Sequence, residues 1–247
     1  MPYPAVMEIR DGFILGIYNY CDSWCDRCAF TSHCRSFADI RKAEAMQDPN
    51  MAAVVMAPEH PSDASPPPPP WLQELLDEMD EAARNPSPDD YAPRELREVP
   101  ERDAIDDRAE AYSRLARTWL QDHESDGSRA AGEARDVIAW FLMLIHAKAM
   151  RALHGLAEDD RSERDSPADH DGSAKVALIG IDRSHAAWLD LVEAEVVSPT
   201  DAATFLEDLA WLRAALERTF PNARAFVRPG FDEPDEVARF VHSESEA

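Results

Sequence analysis

All four cysteines of the chain lie within fourteen residues, and this clustering limits what the N-terminal part can fold into. Cys21, Cys25, Cys28 and Cys34 follow the spacing C-x3-C-x2-C-x5-C, so four thiols can converge on one centre without long-range folding. The first residues lack the basic, apolar and small-residue regions of a signal peptide, and we therefore expect a cytoplasmic protein. In a reducing compartment, clustered thiols more often bind a metal or carry redox chemistry than form disulfides.

Four soft ligands suit an iron–sulfur cluster or zinc. We prefer the cluster, because ferredoxin-type sites also gather cysteines at short spacings and nearby aromatic rings could exclude water. For zinc, Cys25, Cys28 and His33 give C-x2-C-x4-H, the start of a zinc knuckle, but Ala38 stands where the last cysteine would fall. A zinc site would therefore use four thiolates, or three thiolates with His33 as the alternative ligand.

Parts of the cysteine segment resemble known cluster-binding motifs. The last three cysteines, C-x2-C-x5-C, resemble part of the auxiliary-cluster motif of SPASM-type radical SAM proteins, and the first three, C-x3-C-x2-C, are similar to the radical SAM cluster spacing. The resemblance implies an iron–sulfur cluster at these residues. It covers fewer than twenty residues, and the helical pattern that follows does not predict the barrel of radical SAM enzymes, so their activity is not carried over.

The pair Cys25 and Cys28 also has the C-x-x-C spacing of thiol-redox enzymes. In those enzymes the motif lies at a helix N-terminus that follows a strand, where the helix dipole lowers a thiol pKa. No such strand–helix pattern surrounds this pair. A thiol-redox enzyme is therefore the weaker interpretation.

A run of five prolines divides the chain into parts. The stretch 57–70 reads APEHPSDASPPPPP, and prolines without amide donors favour an extended linker or strap. We therefore predict a cysteine-rich metal module at 1–56, the linker at 57–70, a helical bundle at 71–230 and an acidic tail at 231–247. The predicted fold class is mainly α, a bundle of four to five helices with a small N-terminal metal-binding module.

Apolar residues recur at helical spacing through most of the remaining chain. The pattern predicts a short amphipathic helix near 72–83 and four longer helices at 101–123, 132–154, 174–196 and 199–220. The second long helix is apolar almost all round from Val137 to Met150, which is typical of a helix in the centre of a bundle. Its longest continuous apolar stretch, Val137 to Ala147, is about half the roughly 20 residues that a membrane span needs, so we predict no such span.

Local residues mark the ends of two of these helices. Gly155 is the expected stop for the second helix. Ser198 is the expected N-cap of the fourth, with Pro199 at the first helical position and Asp201 close to the positive helix end. The apolar stripe of that fourth helix is Phe205, Leu209, Leu212, Leu216 and Phe220.

The predicted bundle core carries a second, weaker candidate metal site. If the second and third helices are antiparallel, His146 and His185 lie about 4.5 Å apart along the axis, within one turn. Asp182 precedes His185 by three residues, an acid-x-x-His pair like the Glu-x-x-His pairs of di-iron bundles. The simpler interpretation is that the histidines are hydrogen-bonded and that Asp182 forms an ion pair with Arg183 or Lys175.

The charge balance limits the partners. The chain has 49 acidic and 25 basic residues, a net charge of −24, and a polyanion repels both nucleic acid and an anionic membrane. We therefore expect no nucleic-acid and no membrane partner, and a protein or redox partner of unknown identity. Three functions remain open: a metal-binding or electron-transfer protein, a metalloenzyme with a second site in the bundle core, and a zinc-stabilised helical adaptor.

Overall fold

The computed structural model describes residues 8–46, 97–123, 128–158 and 169–233, and this part of the chain is mainly helical with five α-helices. A two-stranded antiparallel hairpin of β1 (Ile9–Arg10) and β2 (Phe13–Ile14) precedes them. The helices are α1 (Arg35–Met46), α2 (Arg102–Asp122), α3 (Arg129–Ala157), α4 (Asp169–Glu193) and α5 (Pro199–Thr219). The predicted linker at 57–70, the short helix at 72–83 and the tail beyond residue 233 lie outside the described residues.

Helices α2 to α5 form a closed four-helix arrangement, with each helix packed against the next and α2 packed against α5. Side-chain contacts show that neighbours run antiparallel. Trp188 of α4 lies at the centre, where its indole stacks on Phe205 at 4.0 Å between ring centroids and donates a hydrogen bond to the Tyr112 hydroxyl. All four long helices that the sequence predicts are confirmed, with ends that differ by up to five residues.

Helix α5 follows the sequence prediction closely. The Ser198 hydroxyl accepts a hydrogen bond from the backbone amide of Asp201 at 3.1 Å, and Pro199 occupies the first turn. This cap satisfies an amide that would otherwise lack a partner at the helix start. The predicted apolar stripe is buried along its whole length.

Two glycines fix the register between α3 and α4. A Cβ on Gly180 would lie 2.9 Å from Phe141 and 3.0 Å from Ile145, so any side chain there would force these two residues to shift. Gly155 was expected to end α3, but the helix continues to Ala157 and Gly155 instead lies against His170 near the start of α4. The missing Cβ at Gly155 therefore serves helix packing rather than termination.

Helix α3 is less enclosed than its composition predicts. Phe141 and Ile145 are buried against the neighbouring helices, but Trp140 is 37% exposed and Met143 50% exposed. The expectation of a helix buried on all sides is therefore wrong, because a four-helix arrangement leaves one face of each helix outside. Among the described helices, α3 alone is long and apolar enough to cross a membrane, a criterion that the core helix of a soluble protein also meets.

The chain divides into two compact units. One contains residues 1–38 together with 97–247, so the cysteine segment belongs to the same unit as the helical bundle. The other spans 39–96, of which the structure describes only 39–46, the second part of α1. Helix α1 was not predicted from the sequence, because its twelve residues contain only three large apolar side chains, Phe37, Ile40 and Met46.

Candidate metal centre and the adjoining cleft

Three consecutive single-turn 3-10 helices position the four cysteines. Cys21 follows the turn Ile17–Tyr20, Cys25 begins the turn Cys25–Arg27, and Cys28 follows it. Cys34 follows the third turn, Thr31–His33, in the same way. Short turns at these spacings reverse the chain repeatedly, so all four side chains can reach one region.

The four cysteines line a single small cavity of about 20 Å³, and all four are free thiols. Tyr18, Trp24, Phe37 and Phe231 form much of the remaining wall, so the thiols lie in a largely apolar setting. In the part of the chain that the structure describes, no group of three or more histidine, cysteine, aspartate or glutamate side chains is arranged to hold a metal ion. The four cysteines therefore line one cavity, but their sulfur atoms are not arranged around a single metal position.

The thiols affect each other electrostatically. Burial raises the pKa of Cys25 above its usual value, and the neighbouring Cys21, Cys28 and Cys34 raise it further, because adjacent thiolates repel. Burial also raises the pKa of Cys28, while a hydrogen bond from the Phe30 amide to its Sγ, 3.4 Å away, acts in the opposite direction. The two thiols of the C-x-x-C pair are therefore more protonated at neutral pH than free cysteine. A thiol-redox nucleophile needs the reverse, a lowered pKa.

His33 lies outside the wall of this cavity. Its Nδ1 lies 3.2 Å from the backbone oxygen of Gly12, in the turn between the two strands. The structure therefore gathers the four cysteines and leaves the alternative ligand His33 directed to the hairpin.

Direct contacts fasten the cysteine segment to the bundle. The Trp24 ring stacks on Trp140 of α3 with centroids 5.0 Å apart, and the Trp140 indole donates a 2.7 Å hydrogen bond to the Asp22 backbone oxygen. The Asp22 carboxylate pairs with Arg183 of α4 at 2.7 Å. Lys148 of α3 donates to the Asn19 backbone oxygen at 2.9 Å. These contacts hold both sides of Cys21 against α3 and α4.

The residues of the predicted second site have separate partners. His146 Nε2 lies 2.6 Å from the Asp106 carboxylate on α2, whereas Asp182 pairs with Arg224 at 2.6 Å and Arg213 at 2.8 Å. Asp182 thus has arginine partners other than the expected Arg183 or Lys175. His185 lies near Arg213 and Asp182, and its pKa is lowered mainly by burial and then by Arg213.

The observed register explains the separation of the two histidines. Because Gly180 lies against Ile145 and Gly155 against His170, position 146 is level with about position 179 on α4. His185 is six residues further on, about 9 Å along the axis at roughly 1.5 Å per residue. The predicted offset was half as large, because α4 begins at Asp169 rather than at 174 and its register against α3 is shifted.

A larger cleft adjoins the cysteine cavity. It has a volume of about 890 Å³ and lies between residues 22–30, the first half of α3, the second half of α4 and the segment around Phe231. Cys28 and Trp24 line both the cavity and the cleft, so the candidate metal centre borders a space of small-molecule size. Sequence reasoning missed it, because its walls come from four separated segments. The alanines spaced along the two helices are its one sequence signal.

Comparisons with known proteins assign no relative: the chain matches no protein-family model, no curated protein and no solved structure.

Proposed function

We propose that this protein binds a metal centre through Cys21, Cys25, Cys28 and Cys34, either an iron–sulfur cluster or a zinc ion. The observation that carries the proposal is that all four cysteines line one cavity. Packing alone would not require every cysteine of a 247-residue chain to border the same small space. Holding a metal requires the four side chains to turn further inward, a movement that rotation about their single bonds allows.

The electrostatics of the cavity also support a cation. The mutual repulsion that raises the pKa of Cys25 is reversed when a cation binds, because each thiolate is then attracted to the metal. Binding should therefore release protons. The Phe30 amide that donates to Cys28 is a contact of the kind that stabilises a bound thiolate.

The residues suit two kinds of centre. An iron–sulfur cluster would supply one-electron transfer when bound, and the aromatic side chains around the cavity would limit its contact with water. Zinc is the second candidate, and it needs less space. A cavity of about 20 Å³ has room for one water-sized group, whereas a cluster of several atoms would require the cavity walls to move. A zinc protein of this kind would act as a stabilised helical adaptor rather than in electron transfer.

Anaerobic purification followed by metal and acid-labile sulfide analysis tests the proposal. A cluster predicts a brown protein containing iron and sulfide, whereas zinc predicts a colourless protein with one zinc per chain. Cys25→Ser and Cys28→Ser should each lower the metal content, because a serine hydroxyl is a poor ligand for either centre.

Two histidine variants act as controls. His33→Ala should leave the metal content unchanged if four thiolates are the ligands, and His154→Ala, on the surface of α3, should leave it unchanged in every case. Wild-type metal content in both cysteine variants, or no metal in the anaerobically purified protein, would contradict the proposal. Loss of metal in His185→Ala with retention in the cysteine variants would favour the bundle-core site instead.

A further inference from the structure

We propose that the cleft beside the cysteine cavity binds a small organic cation with an apolar body. A volume of about 890 Å³ lies within the range of small-molecule sites, roughly 300–1,000 Å³. One wall contains Cys28, so a ligand in the cleft would lie next to the candidate metal centre. The inference goes beyond the proposed metal binding, because the cleft is formed by protein side chains alone.

The shape of the cleft follows from small side chains at helical spacing. From Arg183 to Glu193 on α4 the groove extends ten residues, about 15 Å at roughly 1.5 Å per residue, and Ala194 follows directly after the helix. Alanines on both helices leave the groove open, while larger apolar side chains form its inner end. The alanines are Ala130, Ala134, Ala186, Ala187 and Ala194, and the inner apolar residues are Trp24, Phe30, Val137, Phe141 and Phe231.

The positive charges of the cleft are already neutralised. Three arginines line it, each beside an aromatic ring of the wall and each paired with an aspartate. The pairs are Arg183 with Asp22 at 2.7 Å, Arg228 with Asp232 at 2.9 Å and Arg27 with Asp136 at 3.5 Å. An anionic ligand would have to compete with these carboxylates, which disfavours it.

Two of the three acidic residues at the other end of the cleft are not paired with any described residue. Glu133 forms only an exposed pair with Arg129 at 3.2 Å. Asp190 and Glu193 face the groove one turn apart on α4, and neither forms an ion pair with any residue in the described parts of the chain. The groove therefore has unpaired negative charge near the C-terminal end of α4, while its other end is formed by aromatic rings and by arginines that already have carboxylate partners. This polarity matches a ligand with a cationic head at Asp190 and Glu193 and an apolar body that extends towards Cys28.

Three probes of one shape and different charge test the ligand class. They are 4-phenylbutylamine, 4-phenylbutanol and 4-phenylbutyrate, each titrated into the full-length protein by calorimetry at low ionic strength. We expect the amine to bind about fivefold more tightly than the alcohol, a modest factor because the two carboxylates are exposed, and the carboxylate probe to bind most weakly. Added salt should reduce the preference for the amine.

Variants locate the binding. The double variant Asp190→Asn, Glu193→Gln should bind the amine no better than the alcohol, while its affinity for the alcohol stays unchanged. The double variant Asp107→Asn, Glu110→Gln makes the same charge change at exposed positions on α2 and should behave as wild type. Ala186→Phe, at an exposed position, should fill the groove and weaken all three probes.

Several outcomes would overturn the proposal. They are equal binding of the three probes, an unchanged preference for the amine in the α4 double variant, and unchanged binding in Ala186→Phe with the fold intact by circular dichroism. Metal content is measured on the same samples. If the protein contains metal but does not prefer the amine, the cleft proposal fails and the metal proposal is unaffected. If it prefers the amine but contains no metal, the metal proposal fails and the cleft proposal is unaffected.

Discussion

Gly180 and Gly132 have the same side chain and opposite surroundings, although both lie in helices. A Cβ at Gly180 would meet Phe141 and Ile145 at 2.9 and 3.0 Å, whereas a Cβ at Gly132 of α3 would have nothing within 4 Å. Inside a helix, glycine lowers stability by up to about 1 kcal/mol relative to alanine. Replacing glycine by alanine should therefore stabilise the protein, except where the added Cβ would clash with a neighbouring residue.

We predict that Gly180→Ala lowers the free energy of unfolding by about 1–2 kcal/mol, because overpacking at the α3–α4 contact outweighs the gain in helix propensity. Gly132→Ala is the matched control and should raise it by up to about 1 kcal/mol. Urea denaturation followed by circular dichroism measures both. Equal stabilisation by the two substitutions would show that α3 and α4 are further apart in solution than the structure has them.

At the scale of elements, the cysteine segment depends on α3 for its position. Its three turns contain few backbone hydrogen bonds of their own, and the Trp24–Trp140 stack with the bond from Trp140 to the Asp22 oxygen joins them to the helix. The Arg27 guanidinium lies 4.0 Å from the centre of the Trp24 ring, so the same aromatic contact also orders Arg27.

We predict that Trp140→Ala increases the rate of tryptic cleavage after Arg27 several-fold, because the segment loses its main aromatic contact with α3 and opens more often. Met143→Ala, at the more exposed neighbouring position one turn along α3, is the control and should leave the rate unchanged. Mass spectrometry of the early fragments identifies the site. If Trp140→Ala is cut after Arg27 no faster than Met143→Ala, the stack does not fasten the segment.

The sequence predicted some helices more completely than others. Helix α5 could be predicted at both ends, because Ser198, Pro199 and the apolar stripe up to Phe220 are local signals that its neighbours do not change. The environment of α3 could not, since its apolar composition does not reveal which face the bundle leaves outside. The start of α4 was also missed, because Asp169 to Gly172 have no large apolar side chain that would extend the helical pattern. In the structure this first turn contacts distant parts of the chain: Asp169 accepts a hydrogen bond from the Tyr20 hydroxyl and pairs with Arg151 of α3.

At the scale of the whole molecule, charge is distributed unevenly. Residues 1–56 contain seven acidic and five basic side chains, so nearly all of the net charge of −24 belongs to the remainder of the chain. Arg108 pairs with Asp208 between α2 and α5, and Arg218 of α5 pairs with Glu101, the residue before α2, but the acidic residues outnumber the basic ones about two to one. Repulsion among the remaining carboxylates opposes the compact state.

We predict that the thermal unfolding midpoint rises when sodium chloride is increased from low to physiological ionic strength and beyond, because screening relieves this repulsion more than it weakens the partly exposed ion pairs. Scanning calorimetry at several salt concentrations measures the midpoint, and potassium chloride at matched concentrations controls for the identity of the cation. A midpoint that falls with salt would mean that the ion pairs between helices outweigh the net repulsion.

The sequence by itself determined the features that depend on residues close together along the chain. Helical periodicity gave the four long helices, local caps gave the start of α5, and the spacing of the cysteines predicted that four thiols could reach one place. Only the tertiary structure decided the register of α3 against α4, which separates His146 from His185, and the cleft that borders Cys28. Both depend on how closely segments that are distant in sequence pack together. Gly155 and Gly180 allow α3 and α4 to approach, and alanines along the groove leave it open. The effect of such small residues depends on which residues lie opposite them, and the sequence does not show this.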